Sequence, residues 1–212
     1  MLFRSGFVMM KVKLGFGVDD DIACMTAIGK ALQGKPVRLM IDTNHAYGRA
    51  EALRLGRALA EYDLLWYEEP VVPEDIAGYA EMRQKLTMPI AGGENEHSLY
   101  GFQQLLSAGA VDIAQPDIGS CGGISAARHI TAIAQSLGVR VNPHVWGSAV
   151  AQAASLQVIA ALPVAHHSLY ASEPILEYDR SSHPFRQELV DEPMTLADGW
   201  IKIPEQIGRA HV

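Results

Sequence analysis

Cysteine is nearly absent: Cys24 and Cys121 are the only two in 212 residues, too few for a disulfide framework and without metal-ligand spacing. A reducing cytoplasm is the setting this implies. No apolar run approaches the roughly 18 residues of a membrane helix, and the interrupted opening MLFRSGFVMMKV does not read as a signal peptide. Cations are scarce as well, with 17 Lys and Arg against 24 Asp and Glu and a net charge of -7. No basic stripe could neutralise phosphates, so nucleic acid is excluded as a partner. An anionic ligand would depend on a few placed cations, and the only close pair of lysines is Lys11 and Lys13.

What the chain does have is a run of evenly stepped carboxylates. Asp42, Glu68 and Glu94 each close an apolar, strand-like run (VRLMIDTN, LLWYEEP, PIAGGE), and both gaps are 26 residues. A βα unit takes about that length, so the series reads as one ligand donated by each of three successive parallel strands. Four further runs behave similarly. GFVMMKVKL carries Lys11 and Lys13, DIAQPD ends on Asp117, RVNPHV carries His144, and PILEYD carries Glu177. Helix-compatible stretches lie between them, near 20–32, 51–59, 73–84, 99–108 and 125–137, in βαβα alternation with no second domain.

The expected fold is therefore α/β, a (β/α)8-type barrel whose strand ends open onto one catalytic face. Such a barrel typically takes about 250 residues, so seven strands predict an incomplete one that lacks its first strand. Residues 6–180 form the predicted barrel domain, and 181–206 a polar tail packing over something outside it. Leu2 to Ser5 and Ile207 to Val212 match the translation of a sequencing adapter, so 1–5 and 207–212 are expected to be non-native.

Three carboxylates with no Cys or His at the same step make a hard oxygen site, suited to Mg²⁺ over zinc. Any one acid alone would be a helix cap or a surface ion pair; three in register favour a metal centre. Glu69, next to Glu68, is expected on the opposite strand face in an outward ion pair. Asn44 shares the side of Asp42 and could hydrogen-bond a ligand or substrate. Lys11 and Lys13, two apart on a strand, point the same way, and crowding of like charge is expected to lower a lysine toward the range of a base. Asp117 and His144 end consecutive strands, close enough for the carboxylate to fix the imidazole tautomer and make a second acid/base. His45, His97, His129, His166, His167, His183 and His211 are expected in loops or on the surface. Metal, paired lysines and a His with its Asp imply proton abstraction from carbon beside a carboxylate, with Mg²⁺ carrying the charge of the enediolate.

These residues resemble the mandelate racemase and muconate lactonizing enzyme branch of the enolase superfamily. The motifs that carry the resemblance are KVK (11–13), IDTN (41–44), YEEP (67–70), GGEN (92–95), QPD (115–117) and NPHVWG (142–147), in order along nearly the whole chain. The resemblance implies that Asp42, Glu68 and Glu94 bind Mg²⁺, that Lys13 is a base with Lys11 as its electrostatic neighbour, and that His144 with Asp117 is the opposing base. It implies that Glu177 hydrogen-bonds the substrate carboxylate. It further implies a homo-oligomeric enzyme acting on a sugar acid or its lactone, with ring opening by β-elimination as in cycloisomerases. Acid-sugar dehydration and racemization or epimerization are the alternatives. Members of the branch carry an N-terminal α+β lid domain, which this chain is expected to lack, so that the chain alone would be an inactive fragment or scaffold.

Overall fold

The computed structural model of the chain describes residues 6–162, 175–191 and 193–204. Six parallel strands stand side by side in chain order: β1 (Met9–Lys13), β2 (Arg38–Asp42), β3 (Tyr67–Glu68), β4 (Ile90–Gly92), β5 (Ile113–Ala114) and β6 (Arg140–Val141). Between them run α1 (Val18–Leu32), α2 (Arg49–Ala58), α3 (Ile76–Lys85), α4 (Leu99–Ser107) and α5 (Gly123–Ser136), and α6 (Ala149–Ala161) follows β6.

Strand alternation divides the apolar residues into two cores. Leu39, Ile41, Tyr67, Ile90 and Ala114 face the helices and pack with Met25, Leu55, Met82, Phe102 and Ile130 in one large cluster. Each fully buried side chain among the latter contributes about 2 kcal/mol. Met40, Leu65, Trp66, Ala91 and Ile113, joined by Met9 and Ile175, form a second cluster that contains no helix residue, so it fills the barrel interior. Met9, Met40 and Trp66 stand two residues before Lys11, Asp42 and Glu68. The same strand face is therefore apolar below and ionisable above, a plug of packed side chains under a charged rim.

Local chemistry sets the helix starts. Ser98 and Ser148 accept from Gly101 N and Ala151 N, and Asp75 accepts from Gly78 N at 3.0 Å, capping α4, α6 and α3. Helix α3 thus begins at Ile76, after its cap. The acidic start of α1 does more than complement the helix dipole. Asp21 turns inward, buried, and accepts from Gly15 N at 2.8 Å, Phe16 N at 3.3 Å and Tyr47 Oη at 2.5 Å, which orders the loop after β1. Burial and the bond to Asp21 push the Tyr47 phenol up to about 12.

The seventh apolar run does not join the sheet as a strand among the described residues. It is held by side chains instead. Ile175 N donates to Asn142 Oδ1 at 3.1 Å, Glu177 reaches Lys11 at 3.0 Å, and the rings of Tyr178 and Phe7 lie 6.1 Å apart. Residues 175–178 thus span from the β6 side to the β1 side, where a barrel must close. Part of the tail packs on the barrel itself. A hairpin of β7 (Leu196–Ala197) and β8 (Trp200–Ile201) turns through Asp198 and Gly199, both left-handed at φ 50 and 84, the turn that a two-residue hairpin demands. Gln157 Nε2 of α6 donates to Pro204 O at 2.8 Å. Residues 192, 205 and 206 of the tail and both adapter-like ends, 1–5 and 207–212, lie outside the described residues.

Asp179 anchors the stretch after Glu177. Against the upward push of burial, Ser181 N and Oγ (2.7 Å each) and Arg186 Nη2 (2.6 Å) hold its carboxyl down at about 2. A depressed carboxyl stabilises the fold above its unfolded value and loses that contribution as pH falls toward the folded value. Asp179→Asn is expected to cost about 1 kcal/mol at pH 7 after allowance for solvent screening. In urea melts the gap to the unchanged chain should close between about pH 4 and pH 2; a gap that persists at pH 2 refutes the assignment.

Candidate active site at the strand ends

Asp42, Glu68 and Glu94 converge: each offers an oxygen, and the three lie within 4.8 Å of one another. The register that pairs Lys13 with Asp42 and Asp42 with Glu68 puts successive strand ends level. Gly93, at φ 124, breaks the pleat after β4 so that Glu94, three residues beyond Ala91, still faces inward. Asp42 accepts from Asn44 N at 2.8 Å and from Lys13 Nζ. Glu68 accepts from Lys11 Nζ at 2.6 Å and from Trp66 Nε1 at 2.7 Å. Glu94 Oε2 is buried without a hydrogen bond, 3.4 Å from His144 Nε2.

Electrostatics show how crowded these acids are. Burial, with Glu177 and Asp42 adding to it against Lys11, pushes Glu68 up to about 8. Burial likewise raises Glu94, whereas Lys11 and Lys13 overcome burial at Asp42 and lower it. Three converging carboxylates, two of them disfavoured as anions and one with a bare buried oxygen, fit a hard divalent cation.

The lysines share a side, as expected, but crowding does not govern Lys11. Burial opposes its charge, yet Glu177, Glu68 and Asp42, at 3.0, 2.6 and 3.4 Å, outweigh burial and raise its pKa. The expectation of a lowered value is corrected for this residue, because three nearby anions more than offset the burial that opposes its charge. Lys13 is half-exposed and bonds Asp42 and Asn44 Oδ1, the latter at 2.9 Å.

Across the triad, His144 Nδ1 meets Asp117 Oδ2 at 2.8 Å, which leaves Nε2 toward Glu94. Burial disfavours the imidazolium, but Asp117, Glu177 and Glu94 prevail and raise His144 to about 9. Glu177 completes the ring of charges, accepting from Lys11 and, at 3.3 Å, from Val145 N. Glu69 is not in an outward ion pair. Its side chain is 1% exposed, and it accepts from Asn44 Nδ2 at 3.2 Å and Asn95 Nδ2 at 2.6 Å. The strand ends at Glu68 and the backbone of Glu69 turns left-handed at φ 45, so alternation no longer applies there.

Sequence reasoning passed over Trp66, Gln115, Asn142 and Asn95. The first three share a parity signal, each standing two residues before Glu68, Asp117 or His144. Asn95 shows none beyond its place beside Glu94. Among the other histidines, His45, His97 and His129 are exposed, and His183 packs edge-on to Trp146 at 5.8 Å. His166, His167 and His211 lie outside the described residues.

Known proteins resemble the chain in sequence and fold. Residues 1–210 match the family described as enolase C-terminal domain-like. The chain belongs to that family. D-galactarolactone cycloisomerase of Agrobacterium fabrum is 46% identical over 204 residues, 96% of this chain and 54% of the relative. Among solved structures, the 3,6-anhydro-D-galactonate cycloisomerase from Zobellia galactanivorans superposes with a TM-score of 0.86 at 40% identity, covering 95% of this chain and 55% of that one. L-Talarate dehydratase from Polaromonas sp. JS666, solved with Mg and L-glucarate, gives 0.79 at 30% identity over 95% and 52%. The chain spans about half the length of the curated relatives it matches. These enolase-family relatives are cycloisomerases and dehydratases of sugar acids. Among the described residues, no helix is long and apolar enough to cross a membrane.

Proposed function

We propose that this barrel carries out Mg²⁺-dependent abstraction of the proton alpha to a carboxylate of a sugar acid or its lactone, followed by β-elimination that opens the lactone ring. The observation that carries this reading is the placement of Lys13 and His144 on opposite flanks of one carboxylate triad, Lys13 against Asp42 and His144 against Glu94. Asp42, Glu68 and Glu94 would hold the cation, which when bound stabilises the charge that develops on the substrate carboxylate. Lys13, oriented by Asp42 and Asn44, takes the α-proton. His144, whose tautomer Asp117 selects, presents Nε2 as the opposing acid/base that returns a proton to the departing ring oxygen. Lys11 stays a fixed cation between Glu68 and Glu177, and Glu177, through Lys11 and Val145 N, is set to receive the substrate. The relatives named above, one acting on a galactaric lactone and one solved with magnesium, support the substrate class and the metal.

The groups to which these roles are assigned all belong to this chain, which spans about half the length of the relatives it matches. We assign substrate closure to an N-terminal α+β domain, so the chain alone is expected to turn over little. Joined to the N-terminal half of the Agrobacterium relative, it is expected to open D-galactarolactone in the presence of MgCl₂. Lys13→Ala or His144→Ala should then lower turnover about a thousandfold. Robust turnover by the 212-residue chain alone would overturn the requirement for a lid. Water loss from open-chain aldarates without lactone opening would move the reading to a dehydratase. Deuterium exchange with no elimination would make it an epimerase.

A further inference from the structure

We propose that Glu69 is a positioning residue that aligns two of the three metal ligands and Lys13 at once; this rests on the magnesium reading above. Glu69 occupies the middle of three adjacent strand ends. One carboxylate oxygen accepts from Asn44, which lies two residues past Asp42 and whose own Oδ1 holds the Lys13 ammonium at 2.9 Å. The other accepts from Asn95, the residue after Glu94. The backbone of Glu69 adds to the same bracket: its carbonyl accepts from Thr43 Oγ1 at 2.9 Å and His45 N at 2.8 Å, and its N–H donates to Ala91 O at 3.1 Å. Side chain and main chain together tie the loop after β2 to the end of β4.

Two features separate this from an ordinary buried acid. Among the described residues Glu69 forms no salt bridge; uncharged amides satisfy both of its oxygens, an arrangement that specifies direction more than it neutralises charge. Its left-handed φ of 45, and those of Asn44 and His45 at 41 and 50, are costly for residues with a Cβ, about 1–3 kcal/mol each. Strain of that kind persists where surrounding contacts over-determine it. Partners outside the ligand set that orient metal ligands typically change metal affinity by about 10–100-fold when removed.

The test is Mg²⁺ binding by titration calorimetry on the 212-residue chain, with melting temperatures taken in parallel. Glu69→Gln keeps the volume but turns a donor toward one of the two asparagine amides, and it is expected to weaken Mg²⁺ binding at least tenfold. Asn95→Asp sets two carboxylates against each other and is expected to weaken it as well. Combined, the two changes reverse the polarity of one hydrogen bond and restore it, so the double variant should recover to within threefold of the unchanged chain. A merely structural role would lower the melting temperature without this rescue. Unaltered affinity in Glu69→Gln, or losses that add in the double variant, overturns the proposal. If Glu69→Gln does not fold, the double variant decides: folded and Mg²⁺-binding upholds it, misfolded overturns it. If the unchanged chain binds no Mg²⁺, the metal reading falls, and a crystal structure of Glu69→Gln judges the bracket separately. Asn44 displaced from Lys13 upholds it, and Asn44 in place overturns it.

Discussion

Glu94→Gln is expected to make the metal-free protein more stable and at the same time to abolish most of its affinity for Mg²⁺. Burial holds the Glu94 carboxyl above its usual range even with His144 beside it, so in the absence of metal its environment favours the neutral form. The amide is neutral at every pH, and because Oε2 makes no hydrogen bond the substitution breaks none there, giving up only the 3.4 Å charge contact with His144. What it takes away is one of three anionic ligands for a hard cation, which should weaken Mg²⁺ binding at least a hundredfold. A ligand present at about a hundred times its dissociation constant stabilises the native state by about 2.7 kcal/mol. The unchanged chain should therefore melt several degrees higher in MgCl₂ than in chelator. The variant should start higher in chelator and gain almost nothing. The opposite pattern, a variant destabilised in chelator that still responds to Mg²⁺, would mean that Glu94 serves the fold and not a metal.

That trade of stability for chemistry is partly legible in the amino-acid sequence. Asp42, Glu68 and Glu94 betray themselves by spacing, because parallel strands joined by helices of similar length return to the same rim at nearly constant intervals. His144 and Asp117 follow from the same step, one strand apart. Glu69 did not, because reading it as outward assumed that strand alternation continues past Glu68, whereas the backbone leaves the extended region at that residue. Helix α6 went unmarked for a different reason. AVAQAASLQVIAA is apolar on most sides, and a helix covered by neighbours on more than one face shows no stripe. The 175–179 run looks like a strand in composition, yet its place is set by Asn142, Lys11 and Phe7, all distant in the chain. Periodicity reports which face a residue takes within an element. It does not report which side chain from another element holds it there.

Gly93→Ala should be the most damaging substitution of a single hydrogen by a methyl group among the glycines at the site. Two independent costs meet at this residue. Its φ of 124 lies where a Cβ is strained whatever the surrounding space, which costs about 1–3 kcal/mol. The added carbon would also stand 2.7 Å from Cε1 and 3.0 Å from Cζ of Phe102, a fully buried ring that has nowhere to retreat, and overpacking of this kind costs about 1–3 kcal/mol more. Together these predict a loss of about 4 kcal/mol, or about 12 °C in melting temperature for a domain of this size. Gly138→Ala separates the two contributions. At φ 71 it carries backbone strain, but nothing lies within 4 Å of the new carbon, so about 1 kcal/mol is expected there. The consequence for function follows from the same geometry, since the turn at Gly93 brings Glu94 onto the face of Asp42 and Glu68. Any Gly93→Ala protein that folds should bind Mg²⁺ more weakly than the unchanged chain at the same temperature, whereas Gly138→Ala should bind it equally well. Equal stability of the two variants would show that Phe102 yields, and equal metal affinity would show that Glu94 reaches the triad without the left-handed turn.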